Sequence, residues 1–301
     1  MNIREYHVVT DNVIVMYPFK PRYPFNDAPQ TVPCTCIALP KELIFVDCGV
    51  YPDLAEIFRR DMEKKFKREC SHLLLTHTHW DHILAMEVFK DVTAVASETG
   101  INDLNNFLKV LNNKPQEDWP GILNTTEVEV IEILAKSNIF LPNMSVKEQI
   151  TIGEKDHEVI FRVIGGHSKD SAYIFYPKEK VLCGGDNLIE CYYQLSGSPD
   201  ETLKIIRHWD SLDINFAIPG HGKVVNKDFI TNLRLYYEDL ITVLEELINQ
   251  GITRKKILTH PQLPQYFGKK QSNWKEGCFP NSNWMEMTIR RWYHYLKSKN
   301  K

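Results

Sequence analysis

The sequence predicts a mixed α/β chain whose strands deliver polar side chains to one rim, and three observations carry that expectation. Short apolar stretches of strand length recur, among them Leu73-Leu74-Leu75 and the runs at 159–164, 180–183 and 216–218. Segments with apolar residues at helical spacing alternate with them, the longest over 228–250. Finally, these strand-like runs lead into histidine or aspartate: His77 to His82, Gly165-Gly166-His167, Gly184-Gly185-Asp186 and Pro219-Gly220-His221-Gly222. Glycine permits backbone conformations and close approaches that other residues do not, so each donor is expected on a permissive loop at a strand's end.

In chain order, Val8 to Thr10 and Val13 to Tyr17 read as an opening hairpin. Pro18, Pro21, Pro24, Pro29 and Pro33 then make a stiff, aromatic-rich loop. Strands are expected near 34–39 and 43–48. Asp53 with Glu56 forms a capping box, opening a helix to about Glu69 whose basic end suits the helix dipole. After the histidine cluster, Ile83 to Lys90 reads as a short helix and Thr93 to Ala96 as a strand.

The segment 97–145 is a long insertion with a helix at 101–111, the turn Asn112-Asn113-Lys114-Pro115 and an apolar stretch at 128–134. It is either a lid or a solvated excursion. Asp228 to Gln250 predicts a helix, with Gly251 suited to the position just past its end. A second is expected from Asn283, with Glu286 completing a capping box, to about Lys297. The expected division is a catalytic unit over 1–225 and a helical C-terminal cap over 226–301.

Composition sets outer bounds. A chain of 301 residues with 43% hydrophobic and 25% charged residues suits a well-buried globular core. A net charge of −3 provides no global attraction to nucleic acid or an anionic bilayer. The polar start Met1-Asn2-Ile3-Arg4-Glu5 lacks a secretion signal's character. No apolar run approaches the ~20 residues a membrane span needs. Seven cysteines without Cys-x-x-Cys pairs argue for a reducing cytoplasm.

Imidazole nitrogens and carboxylates are the donors that borderline metals such as zinc prefer. Side chains alternate along an extended backbone, so His77 and His79 point the same way and can grip one ion. Asp81 and His82, beyond the turn, can aim at a second. Two divalent ions ~3.5–4 Å apart hold a hydroxide that is nucleophilic near neutral pH. Asp81 is the candidate for a dual role, ligating and accepting a proton.

The ordered set His-x-His-x-Asp-His at 77–82, His167, Asp186 and His221 resembles the metallo-β-lactamase fold superfamily. Asp47, in Val46-Asp47-Cys48-Gly49, matches that family's early acidic position. The resemblance covers the chain to about residue 225. It implies an αββα sandwich, two mixed sheets face to face with helices outside, followed here by a helical cap as in the glyoxalase II-like branch. By the same resemblance, His77, His79 and His167 would hold one ion, Asp81, His82 and His221 the other, and Asp186 would bridge.

Asp47, Thr76 and Ser171 are the candidates for fixing imidazole orientation, a task such sites require. His167-Ser168-Lys169-Asp170-Ser171 resembles the family's His-Thr-x-Gly-Ser turn, with Ser168 and Asp170 as departures. In relatives the loop after the first strands overhangs the metals, so Tyr23 and Phe25 either wall a substrate pocket or pack on the protein's own surface. Tyr192 and Tyr193 either donate to a developing oxyanion or pack at the surface.

The function expected is a dinuclear metal-dependent hydrolase with two zinc ions, manganese or iron being alternatives. Its substrate would be a small-molecule ester, thioester or lactone. The alternatives are a phosphodiesterase or nuclease, an iron-dependent enzyme of the persulfide dioxygenase type, and a non-catalytic interaction module. Asp186 speaks against a true β-lactamase, His79 against the flavodiiron oxidoreductases. The lack of basic residues over Asn187 to Gln194 speaks against glutathione thioesters. A small molecule is the expected partner and a homodimer is allowed; nucleic acid and membrane are not expected.

Overall fold

Alternation along the first strands sorts apolar side chains onto two opposite faces, and both faces are buried. In β2 (Val13–Pro18), β3 (Cys34–Ala38) and β4 (Leu43–Val46), Ile14, Met16, Cys36 and Phe45 enter one cluster while Val13, Val15, Ile37, Ile44 and Val46 enter another. A sheet apolar on both faces must be covered on both. The computed structural model, which describes residues 4–18, 32–123, 128–190, 197–264 and 284–299, shows what covers them.

The first sheet has seven strands in sequence order. β1 (Arg4–Thr10), β2, β3 and β4 pair antiparallel. β5 (Cys70–Leu74), β6 (Thr93–Ser97) and β7 (Met144–Val146) then add in parallel. Parallel neighbours need crossovers, and these carry α1 (Pro52–Phe66), α2 (Trp80–Ile83), α3 (Glu98–Asn112), α4 (Trp119–Leu123) and α5 (Val128–Lys136). The second sheet comprises β8 (Gln149–Ile152), β9 (Val159–Val163), β10 (Ala172–Tyr176), β11 (Val181–Ile189), β12 (Phe216–His221) and β13 (Val225–Asn226). Its order is β13-β12-β11-β10-β9-β8, and β11 and β12 are its parallel pair. α6 (Pro199–Ser211) connects them, with a complete capping box from Ser198 and Glu201.

Three apolar layers follow. Ile37, Ile44, Val46 and Leu74 of the first sheet meet Phe161, Ile174, Tyr176 and Ile218 of the second. Leu54, Phe58 and Met62 of α1 and Leu104 of α3 cover the first sheet's outer face. Ile206 and Trp209 of α6 share a cluster with Leu182 and Ala217 of the second sheet. The C-terminal helices α7 (Lys227–Asn249), α8 (Arg254–Ile257) and α9 (Trp284–Lys299) contribute Leu233, Leu240, Ile257 and Trp292 to that same cluster. The result is an αββα sandwich with helices appended at its C-terminal end. No helix among the described residues is long and apolar enough to cross a membrane.

Several local expectations differ from the structure. Asp53 is not an N-cap: Pro52 takes the first helical position, Tyr51 caps without a side-chain bond, and Asp53 sits inside the first turn. That helix stops at Phe66, where Lys67 turns left-handed. The helix expected over 83–90 begins earlier, at Trp80, and lasts one turn before a 3-10 turn at Met86–Phe89. The His82 carbonyl there accepts bonds from Cys48 N (3.0 Å) and Gly49 N (3.2 Å), so the neighbouring loop engages the group that would extend the helix. Asp186 lies within β11, not on a loop beyond it. The capping box expected at Asn283 falls outside the described residues.

Candidate metal centre

β4, β5, β11 and β12 end toward one edge of the sandwich, and the candidate donors gather there. After β5, Leu75 N still bonds Val95 O (2.9 Å), and Ala172 N of the second sheet bonds Thr76 O (2.7 Å). The chain is therefore pinned to both sheets just before His77 and His79. The one-turn helix α2 then presents Asp81 and His82. His167 comes from the loop between β9 and β10, and His221 is the last residue of β12. In β11 the pairing with β12 slips around Gly185, which brings Asp186 into the same space.

The donors form two adjoining groups. His77, His79, His167 and Asp186 can each offer one ligand atom within 4.8 Å of the rest, and so can Asp81, His82 and His221. Asp186 sits between the groups. Its Oδ2 lies 3.7 Å from His77 Nε2, 3.4 Å from His167 Nε2 and 3.5 Å from His221 Nε2. Its Oδ1 lies 3.2 Å from His82 Nε2. Asp81 Oδ2 closes the second group, 3.3 Å from His221 Nε2. The approach of β12 requires glycine at 220, because a Cβ there would stand 2.0 Å from Asp186 Oδ1.

Among these atoms, His77 Nε2, His82 Nε2 and Asp186 Oδ1 are buried without a hydrogen-bond partner. His82 Nε2 and Asp186 Oδ1 lie 3.2 Å apart as an ion pair. A buried polar atom left unpaired costs about 1–3 kcal/mol, and three converging on one space describe a place for cations. Imidazole nitrogens with shared carboxylates are a donor set that zinc and its neighbours accept. The residues present therefore fit metal ions.

Charge in the cluster is divided. Burial, then the nearby His82, holds His77 well below the ordinary imidazole range, and burial takes His167 down to about 4. Burial would lower His82 and His221 too, but Asp186 chief among the carboxylates outweighs it, holding His82 well above its usual value and His221 up to about 10. Burial would raise Asp186, and the surrounding imidazoles, His221 first, hold it well below the carboxylate range.

Of the residues expected to orient imidazoles, Asp47 does most. Its Oδ1 accepts from Thr76 N (2.8 Å); its Oδ2 accepts from Thr76 Oγ1 (2.7 Å) and faces His82 Nδ1 (2.9 Å). Thr76 Oγ1 also lies 3.1 Å from His77 Nδ1, so one carboxylate reaches an imidazole in each group. Asp47 adopts φ +52°, a left-handed conformation that Asp tolerates better than most residues. The side-chain bonds of Ser171 go to Ser168, whose N (3.1 Å) and Oγ (2.8 Å) it meets, while its carbonyl accepts from Ile164 N (2.9 Å) and Gly165 N (3.0 Å). Tyr23, Phe25, Tyr192 and Tyr193 lie outside the described residues.

Two residues were passed over in the sequence. Asp170 Oδ2 accepts from both Thr78 N and Thr78 Oγ1 at 2.8 Å, holding the residue between His77 and His79. Asn187 bonds the loop that carries His167. The signal for Asp170 was present: a carboxylate replacing glycine in a turn beside a ligand needs a donor nearby.

Comparison with known proteins agrees with this fold. The sequence pattern of the metallo-beta-lactamase superfamily matches residues 28–221, a span that contains every donor named above. The type 2 metallo-beta-lactamase of Bacillus cereus is 24% identical over 202 residues, 63% of this chain; the match spans 66% of that relative's length. A metallo-beta-lactamase from Pontibacter korlensis superposes with a TM-score of 0.55 at 16% identity, over 78% of this chain and 99% of that one. The DIM-1 metallo-beta-lactamase gives 0.56 at 15% identity, over 78% and 97%. With the sandwich, the order of the donors along the chain and the matched span in agreement, this chain belongs to the metallo-beta-lactamase superfamily.

Proposed function

We propose that this chain is a metal-dependent hydrolase with a dinuclear centre, loaded with zinc, acting on a small-molecule ester, thioester or lactone. The observation that carries the reading is the pair of adjoining donor groups sharing Asp186, with buried donor atoms that have no hydrogen-bond partner in the protein. His77, His79 and His167 would hold one ion and Asp81, His82 and His221 the other. When bound, divalent ions supply Lewis acidity and a nucleophilic water at neutral pH.

The chain's own residues contribute position and proton handling. Asp81 is the more accessible of the two carboxylates, its side chain 20% exposed against 7% for Asp186. In this reading Asp81 is the carboxylate that accepts a proton and, being the nearer to solvent, passes it on. Asp186, enclosed by imidazoles, keeps its charge and sets the distance between the groups. The presence of Asp186 as a shared carboxylate favours ester-type substrates over β-lactams in this reading.

The test is elemental analysis of the full-length purified protein, followed by turnover of aryl esters, thioesters, lactones and bis-aryl phosphates. About two zinc equivalents with turnover confined to the carbonyl substrates is the expected result. Turnover of phosphodiesters alone would move the chain to that class. Zinc-loaded protein inert toward the whole panel would refute the proposal.

A further inference from the structure

Asn187 follows the shared carboxylate directly in β11 and is buried, 3% exposed. Neighbouring residues of a strand face opposite ways. Asp186 turns toward the imidazoles; Asn187 turns toward the loop between β9 and β10. There its Oδ1 accepts from His167 N at 2.7 Å, and its Nδ2 donates to Gly165 O at 2.7 Å. The loop comes as near as glycine allows: Gly166 has φ +101°, and a Cβ on it would stand 2.2 Å from Asn187 Oδ1.

We infer that Asn187 is a positioning residue for His167, setting where that imidazole stands relative to Asp186. The inference rests on the dinuclear reading above and adds to it a side chain that ligates nothing. Its chemistry is specific. The loop offers an N–H at residue 167 and a carbonyl at 165, two positions apart on the same turn. A primary amide matches them with one acceptor and one donor held in a plane. Aspartate would place an oxygen against the Gly165 carbonyl, and leucine, of similar size, would leave both groups unpartnered.

The amide and the carboxylate are covalently adjacent, so the two hydrogen bonds place the His167 backbone against the strand that carries Asp186, whose Oδ2 lies 3.4 Å from His167 Nε2. The loop closes on itself at its ends, where Gly165 N bonds Ser171 O (3.0 Å) and Ser168 N and Oγ meet Ser171 Oγ (3.1 and 2.8 Å). Within it Gly165 and Gly166 both have positive φ, and Asn187 holds that stretch. Without the clamp, His167 is left to the Gly165–Ser171 and Ser168–Ser171 ties of its own loop, whereas His77 and His79 stay pinned through Thr76 and Thr78. The second group, Asp81, His82 and His221, is carried by α2 and β12 and does not depend on that loop.

The experiment uses full-length protein with Asn187→Asp and Asn187→Leu. Zinc is titrated into ion-free protein against a competing chelator, cobalt(II) absorption is recorded on the same samples, and urea unfolding of the ion-free forms reports folding. Partners that orient metal ligands are worth ~10–100-fold in affinity. The expected result is a loss of that size in one of the two zinc equivalents, the other staying within about threefold, with an altered cobalt spectrum. Asn187→Asp, which keeps the acceptor for His167 N, carries the test if the leucine variant fails to fold. Unmodified protein binding two ions while both variants match it in affinity and spectrum would overturn the inference and leave the dinuclear reading standing. Equal weakening of both ions would also overturn it, as a general packing defect. Unmodified protein that binds no divalent ion would overturn the dinuclear reading itself.

Discussion

Asp47→Asn is the change that asks most of the proposed centre while adding almost no steric bulk. Asparagine tolerates the left-handed φ of +52° at this position. Three donors converge on the wild-type carboxylate: Thr76 N, Thr76 Oγ1 and the Nδ1 edge of His82. An amide retains one oxygen, which Thr76 N takes. Its NH2 then faces His82 Nδ1, and that contact is favourable only if Nδ1 is the unprotonated nitrogen. The neutral ring then carries its proton on Nε2, the atom that must be bare to ligate.

The magnitude follows from that tautomer conflict. Losing a partner of this kind costs ~10–100-fold in metal affinity, or about 1.4–2.7 kcal/mol. Folding of the ion-free protein should change much less, because both Thr76 donors keep an acceptor or reorient. Asp47→Ala is the contrasting control. It strands buried donors on Thr76 and His82 at about 1–3 kcal/mol each, so it should destabilise the ion-free fold as well. The assay is zinc titration against a chelator, paired with urea unfolding in excess chelator. Asp47→Asn binding both ions within twofold of the parent would refute the reasoning, because His82 would then ligate without its carboxylate.

Three further outcomes are expected. Asp186→Ala removes the carboxylate shared by both donor groups; both zinc equivalents and turnover should be lost, and an elemental analysis retaining two ions would contradict the shared role. Gly220→Ala puts a methyl group 2.0 Å from Asp186 Oδ1 and 2.7 Å from Asp186 N; strain of about 1–3 kcal/mol in urea unfolding should accompany weaker zinc binding, and wild-type values for both would show that β11 yields there. His72, held below its ordinary 6.5 chiefly by burial, with Glu42 opposing, takes up a proton less readily folded than unfolded. Acidification through 6.5 therefore favours the unfolded chain, and His72→Gln should lose less stability between pH 7 and pH 5 than the parent; equal losses in denaturant midpoints would refute that.

The parts of the fold legible in the sequence were those governed by local periodicity. Apolar runs at 159–164 and 216–218 became β9 and β12, and the spacing over 228–250 became α7. Helix starts were read less well where two local signals competed. At Asp53 the capping pattern lost to Pro52, whose ring already fits the first helical position. At Trp80 no capping pattern announced the helix; His79 enters it in an extended conformation without a side-chain bond, and contacts with the 48–49 loop limit it to one turn.

The candidate donors were legible in the sequence alone: the spacing of His77, His79, Asp81 and His82, and the glycine-adjacent His167, Asp186 and His221, can be read without coordinates. Chemical type and strand-end position are local properties, written in consecutive residues. What the tertiary structure decided is how those donors divide and what holds them. That Asp47 reaches His82 and also Thr76, the neighbour of His77, that Asp170 grips Thr78, and that Asn187 clamps the His167 loop are contacts between residues 20 to 92 positions apart. Side chains so distant along the chain meet only after two sheets have packed face to face, and no local pattern records which of them will be neighbours.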